Sequence, residues 1–442
     1  MRLRKMFEAL RRQIGFWAGH SGVRRYGANT LWMLAEKGGR LVLGFLVGIY
    51  VARQLGPAQY GLLNYAISFI ALFSVLVTLG MDPVLVRELV KRPSRADCIL
   101  GSALALKAAG FGVMVVAVGA ILLFSPMTNG ERLLLAIVLA GYAFQIFQVF
   151  DFSFQARVLA KYSAVSQITA LLVVSGARLW FAWRGAPLWC FALAESIYMA
   201  FSALGYVLFY RYLGGRFRAL RVEREEVKFL AMESLPLFLA AFGVMFYLRF
   251  DQLIVTWLLG DAANGQYAVA VRLSEVLFLF PLVVADSFFP SLIGTRSTSI
   301  RRYYQRTERL MRFLFYSALA ILLPAACVGY FLIVLLYGEA YREAAWLYVI
   351  LLAKILLVYP GQVNAKWYLA ENMQKISMAV SFCGCALSVV LDYLMIRLWG
   401  VTGVAVAAFL INFATYLVFP LPFRKGRQGV RLFLRAMLPI FR

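Results

Sequence analysis

The chain has 442 residues, of which 62% are hydrophobic and only 15% are charged. Together with a mean hydropathy of +0.77, this composition excludes a water-soluble globule of this length and places the chain in a lipid bilayer. The formal net charge of +24 does not indicate a nucleic-acid partner, because the sequence contains no soluble basic domain that would present such a surface.

The N-terminal segment, residues 1–27, is predicted to be a basic, amphipathic and cytoplasmic segment. Leu3, Phe7 and Leu10 recur at steps of three and four residues with basic residues between them, which is typical of an interfacial helix. No uninterrupted apolar core of about 7 to 15 residues follows its charges, so a signal peptide is not expected. His20 is expected to be an ordinary interfacial residue rather than a catalyst.

Apolar windows of about 20 residues, the length that crosses a hydrocarbon core, recur along the rest of the chain. They predict an all-α integral membrane protein with twelve transmembrane helices. The predicted spans are 28–51, 61–80, 101–124, 133–151, 163–183, 189–210, 234–258, 266–292, 313–337, 344–363, 376–396 and 401–420.

Lys and Arg are distributed unequally between alternate connections of these spans. The N-terminal tail, the even-to-odd connections and the C-terminal tail, residues 421–442, together hold 33 basic residues. The other six connections hold five, which are Arg53, Arg132, Arg184, Arg342 and Arg397. Because basic residues are retained on the cytoplasmic side, both termini are predicted to be cytoplasmic.

An internal repeat relates the two halves of the chain. ARQLGPAQYG around Gly56 parallels TWLLGDAANGQY around Gly260, 204 residues later, with a Leu-Gly ending one helix and Gly and Tyr opening the next. Because six spans, an even number, separate the repeats, they have the same orientation in the membrane. The predicted boundaries are 28–210 for an N-lobe of helices 1–6, 211–233 for a cytoplasmic linker and 234–420 for a C-lobe of helices 7–12.

Three segments carry a resemblance to a known family. ANTLWMLAEKGGRLVLGFLVGIYVARQLGPAQYGLLNYAISF at 28–69, LGMDPVLVREL at 79–89 and YLRFDQLIVTWLLGDAANGQYAVAVRLSE at 247–275 resemble the polysaccharide flippases of the multidrug/oligosaccharidyl-lipid/polysaccharide exporter (MOP) superfamily. The nearest branch is that of the O-antigen and capsule repeat-unit (Wzx-type) translocases. The resemblance covers about residues 28–420.

The resemblance implies a two-lobed transporter of twelve or fourteen helices, and this chain shows twelve spans. Such a flippase moves an undecaprenyl-pyrophosphate-linked oligosaccharide from the cytoplasmic to the outer leaflet, by alternating access, for surface polysaccharide biosynthesis. The implied location is a bacterial or archaeal cytoplasmic (inner) membrane. The expected partners are that lipid-linked oligosaccharide, membrane lipids and other membrane proteins of polysaccharide assembly.

Charged residues inside the spans are the candidate site, because a charge at the bilayer centre costs several kcal/mol unless it faces a partner or a watery cavity. Guanidinium groups bind pyrophosphate bidentately, so the cations are predicted to bind substrate from a central cavity enclosed by the two lobes. The candidate substrate-binding cations are Arg40, Arg249, Arg272, Lys354 and Lys37. The candidate structural or coupling charges are Glu36, Asp251, Glu275 and Asp286.

Some of these charges have a simpler interpretation as structural pairs. Glu36 with Arg40 and Arg272 with Glu275 are spaced to form salt bridges on their own helices. Arg40 also matches a cationic position in the related lipid-linked peptidoglycan-precursor flippases, which the resemblance implies as a substrate contact. Both interpretations of Arg40 remain open at the level of the sequence.

Arg249 is harder to explain as a structural residue. Asp251 lies two residues away, so the two side chains leave the helix in different directions, and no other acid lies within four residues. Asp251 is expected to face a different neighbour and to fix its own helix.

Two other functions remain open. One is a multidrug or cation exporter of the same superfamily, for which an acidic cavity is expected. The other is a membrane glycosyltransferase or polymerase, but the short external connections do not favour an enzyme. No nucleotide motif appears, so transport driven by ATP is not expected. No catalytic residue, metal site or cofactor is expected, the five cysteines have no metal-ligand spacing, and Na⁺ or H⁺ remains open as a coupling ion.

Overall fold

The computed structural model describes residues 21–371 and 373–437. Residues 1–20 of the predicted amphipathic segment, including His20, and residues 438–442 of the basic tail lie outside the described residues. All regular elements between residues 21 and 437 that the structure describes are helical, so the all-α prediction is confirmed.

The α-helices are numbered α1 to α16 in chain order. In the first half of the chain they are α1 Ser21–Phe73, α2 Val75–Thr78, α3 Asp82–Lys91, α4 Ala96–Phe124, α5 Asn129–Tyr142, α6 Val149–Ala156, α7 Ala160–Trp183 and α8 Leu188–Tyr212. In the second half they are α9 Arg224–Leu259, α10 Asp261–Val276, α11 Leu279–Thr298, α12 Ile300–Tyr337, α13 Arg342–Leu352, α14 Ile355–Ala370, α15 Gln374–Phe413 and α16 Arg424–Met437.

Several helices are long and apolar enough to cross a membrane. Within the described residues there are nine such segments, or ten if Glu339–Leu352 and Ile355–Ala370, which meet at a bend of 50°, form one span. The chain is therefore a multi-pass membrane protein. Two of the long helices are interrupted internally, α1 at Gly56 and α15 at Trp399 and Gly400, where the backbone is not helical.

The helices extend beyond the spans that hydropathy predicts. The clearest case is α12, which begins at Ile300 although the predicted span begins at residue 313. Its first turns carry Arg301, Arg302 and Arg306, and arginine is a good helix former. Hydropathy detects only the apolar part of a helix, so the polar start of α12 was predicted as part of a connection.

The chain forms two compact units. The first contains the residues up to Gly48, Leu76–Pro126 and Ala136–Phe238, and the second contains Ile49–Val75, Met127–Leu135 and the residues from Leu239 onward. The predicted lobe boundaries place all residues of 28–210 in one lobe and stay a prediction.

In the first unit, a network of arginines and glutamates fixes the start of α9. Arg92 donates hydrogen bonds to Glu226 at 2.6 and 3.1 Å and to Glu88 at 3.0 Å. Arg87 donates to Glu233 at 2.7 Å and also bonds Glu88 at 2.8 Å. Glu88 and Glu226 are almost fully buried, so their charges depend on these arginines. The LGMDPVLVREL motif therefore holds α3 against the start of α9.

In the second unit, the two halves of the internal repeat share an unusual backbone conformation. Gly56 has φ 71° and ψ 170°, and Gly260 has φ 86° and ψ 175°. Residues with a side chain rarely adopt a φ in this range. The sequence repeat is therefore also a repeat of a chain turn that requires glycine.

The helices that follow these two turns cross at very short distance. A Cβ atom added to Gly61 would lie 1.8 Å from the carbonyl oxygen of Asp261, and one added to Gly265 would lie 2.0 Å from the carbonyl oxygen of Pro57. Residues 57 and 261 are equivalent in the repeat, as are residues 61 and 265, so the contact is reciprocal. The side-chain amide of Asn264 also donates to the carbonyl of Gly61 at 2.9 Å.

This crossing predicts a strong difference between glycine substitutions. Gly61→Ala should lower the melting temperature markedly, because its methyl group would overlap a backbone carbonyl. Gly56→Ala meets no atom within 4 Å and should cost about 1 to 3 kcal/mol, because its φ of 71° and ψ of 170° are strained for a residue with a side chain. Gly112→Ala, on a helix and also free of contacts within 4 Å, is the matched control. Thermal unfolding in detergent measures all three, and a Gly61→Ala protein as stable as the control would contradict the crossing.

Candidate functional site

The second unit places Asp251 at the centre of a group of ionisable residues. Asp251 accepts hydrogen bonds from the hydroxyl of Tyr267 at 2.6 Å and from the backbone N–H of Gln252 at 2.8 Å. Lys354 and Arg249 both interact with it electrostatically. Tyr267 thus ties the Asp251 carboxylate to α10. Because Arg249 lies two residues from Asp251, its side chain leaves α9 on a different side.

Lys354 lies at the break between α13 and α14. Its ammonium nitrogen is 5.3 Å from the ring centroid of Phe278, a cation–π distance. It also interacts electrostatically with Glu275, which is exposed on α10. The bend between the two helices brings a cation from α13–α14 towards α9 and α10.

Arg249 and Lys354 differ from the salt-bridged charges of the described chain. Among the described residues, no salt bridge includes either of them. Arg249 is half-buried and its only described interaction with an acid is the electrostatic one with Asp251. A half-buried guanidinium on a membrane-spanning helix without a salt bridge is suited to binding an anion.

The other predicted residues of the second unit lie elsewhere. Arg272 interacts electrostatically with Tyr337 of α12. Asp286 forms a salt bridge with Lys366 at 2.5 Å, which joins α11 to α14. The structural role of Asp286 stays a prediction, and its partner Lys366 was not among the predicted residues.

In the first unit, Arg40 and Glu36 form a salt bridge of 2.8 Å along α1. The structure thus shows the pairing that their spacing allowed. The Arg40 side chain remains 49% exposed, and its guanidinium lies 5.9 Å from the ring centroid of Tyr198. Lys37, the residue after Glu36, is exposed. Neither the described salt bridge with Glu36 nor the described contact with Tyr198 includes Lys37.

Sequence reasoning missed several ionisable residues inside the spans. Lys107 is fully buried, with its nitrogen 3.3 Å from Asp82 and 4.9 Å from the ring centroid of Phe152. Asp392 is 2% exposed and interacts electrostatically with Asp251. Lys107 and Asp392 each lie within an apolar helix, and a charge in such a position was the available sequence signal of a functional or structural role. Their partners are distant in sequence, so the pattern alone assigned them no role.

Arg178 and Glu195 were also given no role. They form a salt bridge between α7 and α8, and each is about three-quarters buried. The adjacent Tyr198 donates a hydrogen bond to the side-chain oxygen of Gln167 at 3.2 Å.

Solved structures of membrane transporters share this fold. A multidrug resistance MATE family transporter of the MOP superfamily, in its inward-facing conformation, matches with a TM-score of 0.67 and 16% identity over 90% of this chain and 96% of that chain. The lipid II flippase MurJ, in an inward closed conformation, matches with a TM-score of 0.70 and 13% identity over 93% and 92%. A MOP superfamily transporter from Pyrococcus furiosus, for which reverse polarity of the binding pocket suggests a different function, matches with a TM-score of 0.64 and 14% identity. The match covers 93% of this chain and 96% of that chain.

These likenesses define the class: the protein has the fold of the MOP superfamily transporters. Its sequence identifies it further. Residues 26–295 match the model of the polysaccharide biosynthesis protein family, and the chain belongs to that family. No curated relative matches the sequence.

The contacts of Asp251 predict its effect on stability. Asp251→Ala removes the acceptor of the Tyr267 hydroxyl and an acid that interacts electrostatically with Arg249, and should lower the free energy of unfolding by about 1.5 to 3 kcal/mol. Asp251→Asn keeps an acceptor for Tyr267 and should lose less. Glu339→Ala, which breaks an exposed pair with Arg342 at 3.9 Å, is the control and should change stability by less than about 1 kcal/mol. Equal melting temperatures for Asp251→Ala and the control would contradict this role.

Proposed function

We propose that this protein is a flippase that moves an undecaprenyl-pyrophosphate-linked oligosaccharide from the cytoplasmic to the outer leaflet by alternating access. Its family, polysaccharide biosynthesis, and its fold, which it shares with the lipid II flippase MurJ, support this proposal. It transports its substrate without changing it chemically. The protein lies in the cytoplasmic membrane with both termini inside, as its basic residues predict.

Twelve membrane crossings are part of this proposal. Gly56 and Gly400 both have positive φ, 71° and 59°, and interrupt helices that are long enough for two spans. The polypeptide crosses the membrane on either side of each glycine. The bent pair α13 and α14 provides a further span. All twelve predicted spans overlap described helices, which supports this count.

Arg249 is the observation that carries the substrate assignment. A pyrophosphate diester presents about two negative charges and several acceptor oxygens, which a guanidinium group binds with paired hydrogen bonds. Arg249 has no salt bridge with a described residue that would compete for these donors. Lys354, which also forms no salt bridge with a described residue, adds a second cation that interacts with the same acid. Arg40 is a weaker candidate for binding the pyrophosphate, because its guanidinium already forms a salt bridge with Glu36.

A cation exporter is the competing candidate, and one observation favours it. Asp251 and Asp392 interact electrostatically, and two neighbouring acids are what a cationic substrate needs. Asp251, however, already accepts two hydrogen bonds. The two candidates differ in the effect of Arg249, which is essential for an anion and unfavourable for a cation.

Substitution of Arg249 separates the candidates. Arg249→Ala should leave a folded, membrane-inserted protein in which translocation of the lipid-linked oligosaccharide falls at least about tenfold, since charge-assisted hydrogen bonds contribute about 1.5 to 3 kcal/mol. Arg249→Lys should recover part of the activity, because a point charge replaces a fork of donors. Arg342→Ala, which removes an exposed arginine, is the control. The measurement is translocation in proteoliposomes per unit of folded protein, and full activity of Arg249→Ala would refute the assignment.

The membrane potential provides a driving force. Two negative charges that move outward across a membrane that is negative inside gain about 2.3 kcal/mol per charge per 100 mV, or about 4 to 5 kcal/mol in total per 100 mV. Flipping should therefore slow when valinomycin and potassium collapse the potential, and no coupling ion should be required. Transport that is unchanged at zero potential but stops without a Na⁺ or H⁺ gradient would contradict this mechanism.

A further inference from the structure

Three helices of the first unit bring together polar side chains that the pyrophosphate assignment does not use. These helices are α1, α7 and α8, and all three are membrane-spanning segments. We call the group the polar cluster; its members are Glu36, Arg40, Gln167, Arg178, Glu195 and Tyr198.

Direct contacts and one electrostatic interaction connect the polar cluster. Arg40 pairs with Glu36 at 2.8 Å, and its guanidinium faces the ring of Tyr198 at 5.9 Å. The Tyr198 hydroxyl donates to Gln167 at 3.2 Å. Tyr198 also interacts electrostatically with Glu195, the salt-bridge partner of the remaining member, Arg178.

The cluster keeps accessible surface instead of being sealed in the core. The Arg40 side chain is 49% exposed, and Arg178 and Glu195 are 24% and 23% exposed. Gln167 and Tyr198 are also partly exposed. Ionisable groups within membrane-spanning helices pair with one another or face water or a polar ligand, because hydrocarbon does not solvate them. These groups are paired, and their exposed parts are open to water or a ligand.

The charges of the cluster indicate the chemistry of its ligand. Each arginine is paired with a glutamate, so the cluster carries no excess charge and offers a dianion no net attraction. Each salt bridge leaves further guanidinium donors and carboxylate acceptors available, since a guanidinium has five N–H donors and a carboxylate accepts at several positions. Gln167 adds an amide, and Tyr198 adds a flat apolar face with a polar end.

A hydroxyl-rich, uncharged ring matches this arrangement. A sugar has hydroxyl groups that donate and accept at the same time, and it also has faces of C–H groups that pack on aromatic rings. Paired donors and acceptors satisfy such hydroxyls without a change in net charge. Few other components of a lipid-linked substrate combine these two properties, because the lipid is apolar and the pyrophosphate is charged.

We propose that the polar cluster is a saccharide-binding subsite, in which the ring of Tyr198 packs against a sugar while Gln167 and Glu195 bind its hydroxyls. This inference rests on the proposed function, since it concerns the oligosaccharide of the same substrate. It assigns recognition of the sugar to the first unit and leaves the anionic group to Arg249 and Lys354.

Two lipid probes test the subsite. One is undecaprenyl pyrophosphate without a sugar, and the other is undecaprenyl pyrophosphate that carries a short N-acetylglucosamine oligosaccharide. The affinity of the purified full-length protein for each is measured in detergent. Wild type should bind the sugar-bearing lipid more tightly than the bare lipid. Tyr198→Leu and Gln167→Leu should weaken binding of the sugar-bearing lipid about tenfold and leave binding of the bare lipid unchanged.

Two further variants protect this test against misfolding. Tyr198→Phe keeps the ring and loses only the hydroxyl, so it should fold normally and lose only about two- to fivefold in affinity for the sugar-bearing lipid. Tyr212→Leu lies on the same helix with its side chain largely exposed and should leave both affinities unchanged. An unchanged preference for the sugar in Tyr198→Leu, or an equal loss for both probes, would overturn the subsite.

The wild-type affinities separate this inference from the proposed function. If wild type binds the bare lipid and gains nothing from the sugar, the subsite is wrong and the pyrophosphate assignment stands. If wild type binds neither probe, the proposed function fails and the subsite fails with it.

Discussion

A charged side chain on a membrane-spanning helix must meet an opposite charge or stay in contact with water, because hydrocarbon solvates neither form of ion well. Lys107 shows the requirement in its strongest form: it is fully buried, and its ammonium meets both Asp82 and the face of Phe152. Other charges in the spans follow the same rule through pairs such as Arg178 with Glu195. Arg249 and Lys354 are held by no salt bridge with a described residue, although both interact electrostatically with Asp251.

The apolar pattern of the sequence predicted the fold well because each span is a local property. Every predicted span overlaps a helix, and the Gly56 and Gly260 repeat marks the same backbone turn in the structure. The predicted positions of the helix ends were less accurate. The first turns of α12 are polar, and hydropathy detects only the apolar part of a helix, so it does not show where such a helix begins.

The charges in the spans were predicted less completely, because a salt bridge between distant segments leaves no trace in spacing. The Glu36–Arg40 pair was visible as a four-residue step, whereas the Asp286–Lys366 pair joins residues from two different helices. Helical geometry predicted that the side chains of Asp251 and Arg249 leave their helix in different directions. It did not predict Tyr267 as the partner of Asp251, because that hydroxyl comes from the next helix.

The reciprocal glycine crossing has a consequence for the origin of the chain. In it, residue 57 meets residue 265 and residue 61 meets residue 261, and these four positions exchange under the repeat. Two identical half-length chains that associate about a two-fold axis make this kind of contact. In such a homodimer a single glycine codon would have governed both contacts, and one mutation would have removed them together. Gene duplication and fusion would free the two positions to diverge, yet both are still glycine.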